Sequence, residues 1–590
     1  MKARMGICFV LAVFLAVGFL GFRHSEATQQ DVIAAAEAKI PYIPNEVLVK
    51  FKPATADTAV VESIDAVQGT IVTHRRRSIS PGLWAENRSE YRSFLGDPDL
   101  LHIKVPATKG TEKAILELMS NPNVEYAEKN YYFHAALSGT DWFSLQWALY
   151  NDGTNSGGTA DADIDAPEAW NIFTGSSDVV VAVIDTGIEN THPDLQANIW
   201  TNPGEIAGNS YDDDGNGYDD DVHGWNFVSD NNITTDDSSK SHGTHIAGII
   251  GANGNDGDGV AGVCWNVKLM PVKNITSTGS STIAWCISAI DYAVDNGAQI
   301  INASWKVPSN STSLYQAIER AKASGVLYVA AAGNASLEDL YEIPAVDPPG
   351  GGGGGTPGEY GVNIDQSPRW PASYDLDNII TVLATNNEDK KSWYSYWGLY
   401  SVDLGAPGGT AASETEQTGD IWSTATGSSY RYLNGTSMAA PFVSGVAALL
   451  LGQRPSLDWW QVKTIIMKSV DNRNSLVGYC RTHGRLNAYN ALVYPTPVLP
   501  EAPTNLVVTA FENGDFFDIR LTWTDNSNNE SGFKIYLKSG YVFEALDTVG
   551  ANVTTYWLTE VGSGSYYFYV RAFRTDGESP KTATVSVYAK

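Results

Sequence analysis

The sequence has 590 residues and a formal net charge of −29 at pH 7. A chain of this length exceeds what one compact core organises, so several domains are expected. The strong negative charge argues against nucleic acid and anionic membrane surfaces as partners, and it favours a soluble surface or bound divalent cations.

Residues 1–27 have the pattern of a secretory signal peptide. Lys2 and Arg4 precede an apolar run from Met5 to Phe22, and the small residue Ala27 ends the segment. Because the run approaches the length of a membrane span, an uncleaved signal anchor is the alternative. The small residue favours cleavage after Ala27, so we expect a secreted, extracellular protein without membrane attachment after cleavage.

Residues 28–137 are predicted to form a small α+β domain. The stretches NEVLVKF and LLHIKV alternate apolar and polar residues as strands do, whereas TEKAILELM has apolar residues at helical spacing. The stretch VEYAEKNYYFHA is predicted to close this domain as a further strand.

Residues 138–494 alternate strand-like apolar runs with helical patterns. The runs DVVVAVID, NVKLMPVK, AQIINASW and VLYVAAAGN alternate with patterns such as STIAWCISAIDYAV and LYQAIERAKASG. This alternation predicts an α/β fold, a mostly parallel sheet with helices on both faces. Because such a sheet is buried on both faces, Val179–Ile184 is continuously apolar.

A proline-rich linker, residues 495–503, precedes the C-terminal residues 504–590. The latter carry short alternating stretches such as DIRLTWTD, GFKIYLK and YYFYVRAF, which predict a β-sandwich. A different segment, Asp347–Gly361, contains six consecutive glycines and is predicted to lack packed regular structure. The cysteines left after signal removal are odd in number and allow at most one disulfide: Cys264, Cys286 and Cys480.

Two polar residues lie where chemistry is favoured. Asp185 ends a buried strand, and open α/β sheets place their sites at such carboxyl ends; a plain turn aspartate is the alternative. His242 begins the helical pattern of SHGTHIAGIIGA, which Ser241 is predicted to cap. A histidine pair with His245 does not favour metalloprotease chemistry, because no HExxH motif occurs.

Ser437 lies between Gly435 and the helical pattern MAAPFVSGVAALLL, whose predicted first turn contains Pro441. A serine at such a helix start is either an N-cap or a nucleophile whose oxyanion meets free backbone amides. The local sequence leaves both open. The chain order Asp185, His242, Ser437 is one of three orders known for the same triad, which favours the nucleophile.

The stretches VIDTGIENTHPDL, SHGTHIAGIIGA and NGTSMAAPFVSGVAALL together resemble the three signature motifs of the subtilisin-like serine proteases, and the resemblance covers Trp147–Tyr494. It implies a subtilisin-like fold and a serine endopeptidase that acts through an acyl-enzyme. One alternative is a catalytically silent binding or adhesion protein with the same fold. Another is a serine esterase, which is disfavoured because no GxSxG motif occurs.

The resemblance also implies roles for individual residues. Ser437 would attack the scissile carbonyl, His242 would accept and return the proton, and Asp185 would orient the imidazole. Asn334, at the end of VAAAGN, matches the family asparagine that binds the oxyanion together with the Ser437 backbone amide.

Substrate is expected to lie as an added strand along NASWK and AAAGN. The substrate-binding candidates are therefore Ser304, Trp305, Lys306, Ala332 and Gly333. Lys306 stands where the family usually has glycine. It is expected either to narrow the cleft or to favour an acidic residue in the substrate.

The loop YDDDGNGYDDDVHGW has the ligand spacing of a calcium loop. The alternative is full solvation of the acidic groups. His223 stands at position twelve, where an EF-hand has glutamate, so Asp219 or Asp221 is the candidate for the missing carboxylate. The ligand candidates of this loop are Asp212, Asp214, Asn216, Tyr218, Asp220 and Asp221.

A second calcium site is implied by resemblance to the tight site of the family. Its candidates are Asp194 and two residues of the loop GNDGDGVAG, Asp256 and Asp258. Ca²⁺ is the expected cofactor at both sites.

The flanking regions also have counterparts in the family. Residues 28–137 resemble an inhibitory propeptide, which implies a zymogen whose own propeptide is an intramolecular inhibitor, cut between His134 and Asp141. Residues 504–590 resemble a fibronectin type III module, with Trp523 and Tyr569 as core aromatics, that binds polymer, cell wall or nothing. The expected protein is a monomer whose partners are protein or peptide substrates.

Overall fold

The computed structural model describes residues 42–53, 55–72, 78–79, 100–131, 145–154, 158–257, 259–335, 361–410 and 417–590. The chain divides into two compact units, Met1–Ala136 and Leu137–Lys590. The predicted signal peptide, nearly all of the glycine-rich segment and Asp258 lie outside the described residues, so these predictions stay predictions.

The first unit contains an antiparallel sheet and two helices. The strands are β1 (Tyr42–Phe51), β2 (Thr70–Val72), β3 (Ser78–Ile79), β4 (Leu100–Lys104) and β5 (Val124–Tyr131), in the order β3-β2-β4-β1-β5. The helices are α1 (Asp57–Ala66) and α2 (Thr111–Met119). Alternation buries one face of β1 and β4, and residues four apart on each helix pack against that face: Val47, Val49, Phe51, Leu101, Ile103, Val60, Ile64, Ala114 and Leu118. The predicted helix and the strands at NEVLVKF and LLHIKV are confirmed, and the described part of VEYAEKNYYFHA forms β5. Helix α1 and strands β2 and β3 are additions.

The second unit begins with what we call the large-sheet region, residues 138–494. Its strands are β6 (Gly175–Asp185), β7 (Trp225–Asn226), β8 (Asn266–Lys273), β9 (Ile300–Ala303), β10 (Leu327–Ala331), β11 (Ile379–Thr385), β12 (Leu404–Pro407), β13 (Ile421–Ala425), β14 (Ser429–Leu433), β15 (Asp471–Asn472) and β16 (Gly484–Arg485). Its helices are α3 (Ala166–Trp170), α4 (His242–Gly251), α5 (Ile283–Asp295), α6 (Thr312–Ala323), α7 (Thr436–Gln453), α8 (Trp459–Lys468) and α9 (Ala488–Val493). Short 3-10 helices span Gln417–Gly419 and Asn474–Leu476.

Nine of these strands form one sheet in the order β15-β16-β12-β11-β10-β9-β6-β8-β7. All pairs are parallel except β15 with β16, so the sheet is mostly parallel, as predicted. The remaining strands, β13 and β14, form an antiparallel hairpin.

The central strand β6 contributes to two cores at once. Val181 and Val183 face one core, whereas Ala182 and Ile184 face the other. Helices α4 and α7 pack in the first core, and α5 and α6 pack in the second. Burial on both faces explains why the run is continuously apolar.

Helix α7 runs through the first core and is buried along most of its length. Within the described residues, it is the one helix long and apolar enough to cross a membrane by length and composition. Its burial inside the fold identifies it as a core helix. All three cysteines of the described residues, Cys264, Cys286 and Cys480, are buried and free, so none of them forms a disulfide.

The C-terminal region, residues 504–590, is made of strands. These are β17 (Thr504–Asn513), β18 (Phe516–Thr524), β19 (Gly532–Ser539), β20 (Val542–Gly550), β21 (Thr555–Val561), β22 (Gly564–Arg574), β23 (Gly577–Glu578) and β24 (Val585–Ala589). They form one sheet of β17, β18 and β21 and a second of β20, β19, β22, β23 and β24, all antiparallel. Both sheets share one apolar core.

The two predicted core aromatics of the C-terminal region have different surroundings. Trp523 packs in the shared core, with its ring 5.5 Å from that of Phe533. Tyr569 lies outside that core, because alternation along β22 turns Phe568 and Val570 inward and Tyr569 outward. Its ring instead stacks on Tyr536 at 4.6 Å and lines the contact with the large-sheet region.

Candidate active site

Asp185 is the last residue of β6 and is fully buried. Its Oδ1 accepts hydrogen bonds from the Thr186 amide and from His242 Nδ1, each at 2.7 Å. The strand end therefore places the carboxylate where a histidine from α4 can donate to it.

His242 is the first residue of α4, as predicted. Gly243 permits the close approach of α4 to Asp185, because a Cβ there would fall 2.2 Å from the Gly187 carbonyl oxygen and 3.2 Å from Asp185 Cβ. Burial alone would lower the pKa of His242, but the adjacent Asp185 carboxylate raises it above its ordinary value. About a quarter of the His242 side chain stays exposed.

The prediction that the Ser241 side chain caps this helix is wrong. Ser241 occupies the N-cap position, but it has a left-handed backbone (φ 55°) and makes no side-chain capping bond. Its Oγ instead accepts from the Thr426 amide at 3.1 Å and contacts Thr426 Oγ1 at 2.8 Å. The hydroxyl ties the helix start to the turn after β13 instead of to its own amides.

His245 is a structural residue of the core. It is fully buried, and its Nε2 lies 3.1 Å from the carbonyl oxygens of Ile421 and Arg431, on the β13–β14 hairpin. Burial lowers its pKa to about 3. The structure thus does not bring His242 and His245 together as a metal-binding pair.

Ser437 is the second residue of α7, and Gly435 occupies the N-cap position, so the N-cap alternative for this serine does not hold. Its Oγ donates to the Ser304 carbonyl oxygen at 3.1 Å. Pro441 is the sixth residue of the helix, not a first-turn residue as predicted. Because proline has no N–H to donate to Ser437, the Ser437 carbonyl accepts from Ser304 Oγ at 2.9 Å instead.

Asn334 follows β10, two residues beyond Ala332. Only the oxygen end of its side-chain amide makes hydrogen bonds among the described residues. Its Oδ1 accepts from the amide and the hydroxyl of Thr436, at 2.9 and 3.0 Å. This leaves Nδ2 directed past Gly435, where an added Cβ would fall 3.1 Å from it. The Thr436 contacts thus bring the Asn334 amide beside the start of α7.

The substrate-binding candidates line two segments near Ser437. Ser304 and Trp305 are fixed by their side chains, since Trp305 Nε1 donates to the Ile184 carbonyl at 3.0 Å. Lys306 is exposed, and its Nζ donates to the Asn334 carbonyl at 3.4 Å. Ala332 and Gly333 form the second segment. The Gly333 carbonyl accepts from the Tyr396 amide at 2.9 Å, and the Ser304 carbonyl accepts from Ser437 Oγ at 3.1 Å.

The acidic loop brings several carboxylates together, one of them from outside the predicted set. Asp212, Asp214 and Glu205 have oxygens within 4.8 Å of one another. Glu205 was not foreseen; it lies seven residues before Asp212, outside the loop spacing. Its Oε2 is buried without a hydrogen-bond partner among the described residues. Burial raises the pKa of Glu205, as do the neighbouring carboxylates.

The other candidates of this loop make different contacts. Asp220 Oδ1 accepts from the Gly208 amide at 2.8 Å. Buried Asp221 accepts from Tyr292 OH at 2.5 Å and from Asn216 Nδ2 at 3.2 Å. The ring of Tyr218 packs 5.1 Å from that of Trp225. Asn216 Nδ2 also donates to Asp214 Oδ2 at 3.2 Å, so Asn216 links Asp221 to Asp214.

At the second predicted calcium site, Asp194 is buried and its Oδ2 accepts from the Val260 amide at 2.8 Å. Asp256 accepts from Asn253 Nδ2 at 2.7 Å. Burial raises the pKa of Asp194. Asp258 lies outside the described residues, so the full set stays a prediction.

Comparison with known proteins gives a consistent result. A family model described as the subtilase family, peptidase S8, matches residues 176–487. The chain is 32% identical over 438 residues to a thermophilic serine proteinase of Bacillus sp. (strain AK1), covering 72% of this chain and 88% of that protein. It is 34% identical over 331 residues to thermitase of Thermoactinomyces vulgaris, covering 56% and 94%. A solved protease structure from Pseudoalteromonas arctica is 29% identical, with 60% and 98% covered and a TM-score of 0.44.

The matched residues make up more than half of the chain and include Asp185, His242, Asn334 and Ser437. The chain belongs to the subtilase family and is a serine endopeptidase.

Proposed function

We propose that this endopeptidase cleaves peptide bonds with Ser437 as nucleophile, His242 as general base and Asp185 as the residue that orients the imidazole. The observation that carries the proposal is the 2.7 Å hydrogen bond from His242 Nδ1 to Asp185 Oδ1. This bond fixes the tautomer whose free Nε2 can accept a proton. The raised pKa of His242 then favours the imidazolium formed during attack.

Ser437 in this conformation donates to Ser304, and attack requires its hydroxyl to turn toward His242. A change of serine rotamer of this kind is ordinary, because catalytic hydrogen bonds often tighten only when substrate is bound. Half-buried Ser437 remains accessible to substrate. The proton taken by His242 would pass to the leaving amine as the acyl-enzyme forms, and water would then release the acid.

The oxyanion of the tetrahedral intermediate would accept from Asn334 Nδ2 and from the Ser437 backbone amide. Support comes from the two Thr436 bonds to Asn334 Oδ1, which hold the amide while its Nδ2 has no hydrogen-bond partner among the described residues. Donors that are already oriented need no rearrangement when charge develops. Removal of such a donor lowers turnover by about 100- to 1000-fold.

Labelling with a fluorophosphonate probe tests the nucleophile. We expect covalent labelling at Ser437 in the processed protein, and none in Ser437→Ala. Ser429→Ala is the matched control, because this hairpin serine is exposed and its hydroxyl donates to the Thr426 carbonyl. Labelling that persists in Ser437→Ala would overturn the assignment.

We propose further that the protein is exported by residues 1–27 and made as a zymogen inhibited by residues 28–137. The support is that the first unit forms its own packed core of alternating strands and helices. Residues 504–590 would be a fibronectin type III-like β-sandwich, supported by two antiparallel sheets that share one core.

Calcium is the proposed cofactor of the acidic loop. Glu205, Asp212 and Asp214 fit this ion, because their carboxylate oxygens are hard ligands that lie close together and one of them, Glu205 Oε2, is buried without a partner among the described residues. When bound, the ion would neutralise repulsion among the three carboxylates. Asp194 and Asp256 are the proposed ligands of the second site, with Asp258.

A further inference from the structure

Tyr396 forms a wall directly behind the proposed oxyanion residue. The ring is buried and lies against Gly333, where an added Cβ would fall 2.5 Å from Tyr396 Cδ2. The Tyr396 amide donates to the Gly333 carbonyl at 2.9 Å. A charged side chain that contacts this ring therefore lies close to Asn334.

Two cations lie over that ring. Lys306 Nζ is 4.9 Å from the ring centroid and donates to Tyr396 OH at 3.3 Å. The Arg369 guanidinium is 5.6 Å from the same centroid. Both distances allow a cation–π contact. The strand-like bridge between Val307 and Trp370, one residue beyond each cation, keeps the two side chains on neighbouring segments.

The acceptors of both cations are neutral. Arg369 donates to the carbonyl oxygens of Ser367 and Pro368 and to Ser367 Oγ. Lys306 donates to the Asn334 carbonyl and to Tyr396 OH. Over the stretches of chain that the structure describes, neither takes part in an ion pair with a carboxylate. In a protein of net charge −29, two adjacent cations without such a partner create a local positive potential beside the nucleophile.

We propose that Lys306 and Arg369 select substrates with an acidic side chain, aspartate or glutamate, on the residue whose carbonyl is attacked. This inference rests on the proposed roles of Ser437 and Asn334. The attacked carbonyl would lie between Ser437 Oγ and the Asn334 amide, so the side chain next to it extends along residues 332–334. Lys306 Nζ, 3.4 Å from the Asn334 carbonyl oxygen, is within reach of a carboxylate on that side chain.

The two cations should stabilise a bound acidic side chain more than an uncharged one. An acidic side chain would bring a charge-assisted partner to the two cations, whereas an uncharged amide of the same shape would bring only a dipole. Lys306 is exposed and Arg369 is half-buried, so water and salt reduce the attraction. We therefore expect a preference of about tenfold, not the far larger ratio of a fully buried pair.

Four fluorogenic peptides that differ only in the residue before the scissile bond, Glu, Gln, Leu or Lys, test this. For the processed full-length protein, kcat/KM for the Glu peptide should exceed that for the Gln peptide by about tenfold. The ratio should fall as NaCl is raised, because salt screens exposed charges. The Lys peptide should be the poorest substrate.

Variants assign the preference to the two side chains. Lys306→Gln and Arg369→Gln should each lower the Glu-to-Gln ratio by about threefold, and the double variant should bring it near one. Lys390→Gln is the control, because Lys390 is an exposed lysine paired with Glu388 at 2.6 Å, and it should leave the ratio unchanged.

A Glu-to-Gln ratio of one or less in the unsubstituted protein, with Ser437-dependent cleavage of the Gln peptide, would overturn the acidic preference and leave the proposed function standing. Absence of both peptide cleavage and fluorophosphonate labelling would overturn the proposed function, and this inference with it.

Discussion

Asp377 and Arg571 form a buried ion pair between the large-sheet region and the C-terminal region, with 2.5 Å between Asp377 Oδ1 and Arg571 Nη2. Asp377 lies two residues before β11, and Arg571 lies in β22. The Lys581 amide also donates to Asp377 Oδ2, at 2.9 Å, and Trp460 Nε1 donates to the Glu578 carbonyl at 2.6 Å. The C-terminal region is therefore docked through specific polar contacts, beside a cavity of about 470 Å³.

Replacing Asp377 with asparagine should lower the free energy of unfolding by about 3 kcal/mol, because buried Arg571 would lose its closer carboxylate and keep only Glu578, at 3.8 Å. Urea denaturation in a Ser437→Ala background, which avoids self-digestion, measures this. Asp576→Asn is the control: Asp576 is 39% exposed and lies 3.6 Å from Arg574, so its loss should change stability by less than about 1 kcal/mol. Equal effects of the two variants would contradict a structural role for the buried pair.

The contribution of Asp377 to the free energy of unfolding should disappear at acidic pH. Burial alone would raise the pKa of Asp377, but Arg571, Lys581 and Lys322 hold it well below its ordinary value. A carboxyl whose folded pKa is lowered stabilises the fold above its unfolded pKa of about 3.9, and this stabilisation is lost as pH falls toward the folded value. The stability difference between the parent and Asp377→Asn should therefore be constant near neutral pH and shrink below about pH 4.

The acid limb of the activity profile should report His242. Asp185 raises the pKa of His242 above its ordinary value, and the proposed base must be neutral, so kcat/KM should reach half its maximum at a higher pH than an ordinary histidine would give. Asp185→Asn should lower turnover by about 10,000-fold, because the tautomer is no longer fixed. In Ser437→Ala protein, nuclear magnetic resonance titration of His242 should give the same raised pKa, and adding Asp185→Asn should lower it. A His242 pKa that is unchanged by Asp185→Asn would contradict the proposed role of Asp185.

Asn334→Ala should lower kcat by about 100- to 1000-fold with little change in KM, because the lost donor serves the transition state. Thr436→Val removes one of the two bonds that orient Asn334 and should lower kcat by about tenfold. If Thr436 acts by positioning Asn334, the double variant should be no slower than Asn334→Ala. Additive losses would indicate a separate role for Thr436.

Chelation with EDTA should lower the melting temperature and speed self-digestion, because Glu205, Asp212 and Asp214 would repel one another without a cation. Adding Ca²⁺ should restore the melting temperature. Glu205→Gln should reduce this response, and Asp515→Asn is the control, since exposed Asp515 lies in the C-terminal region, between β17 and β18. An unchanged melting temperature in excess EDTA would count against both proposed calcium sites.

Maturation should depend on the protein's own activity. The parent chain should be cut between His134 and Asp141, whereas Ser437→Ala should retain residues 28–137 as one chain with the rest. Intact mass and N-terminal mapping of the exported proteins measure this. Equal processing of the two would show that another protease makes the cut.

Strands β6, β8, β9 and β10 and helices α5 and α6 agree with the predicted α/β alternation, because the strands are short apolar runs and the helices have apolar residues at helical spacing. Helix ends were harder to predict. Ser241 has the residue type of a cap but bonds to Thr426, 185 positions away. A partner so distant in the chain cannot be predicted from the residues next to Ser241. Pro441 looked like a first-turn residue, yet Ser304 replaces the hydrogen bond that it removes.

The sequence by itself determined the order and spacing of the candidate residues, the strand-helix alternation and the motifs that indicate the subtilase family. All of these are properties of neighbouring residues. Only the tertiary structure decided that His242 Nδ1 meets Asp185, that Thr436 orients Asn334, that Glu205 joins Asp212 and Asp214, and that Arg369 lies with Lys306 over Tyr396. These side chains come from segments separated along the chain, and their contacts arise only when the sheet and its loops pack.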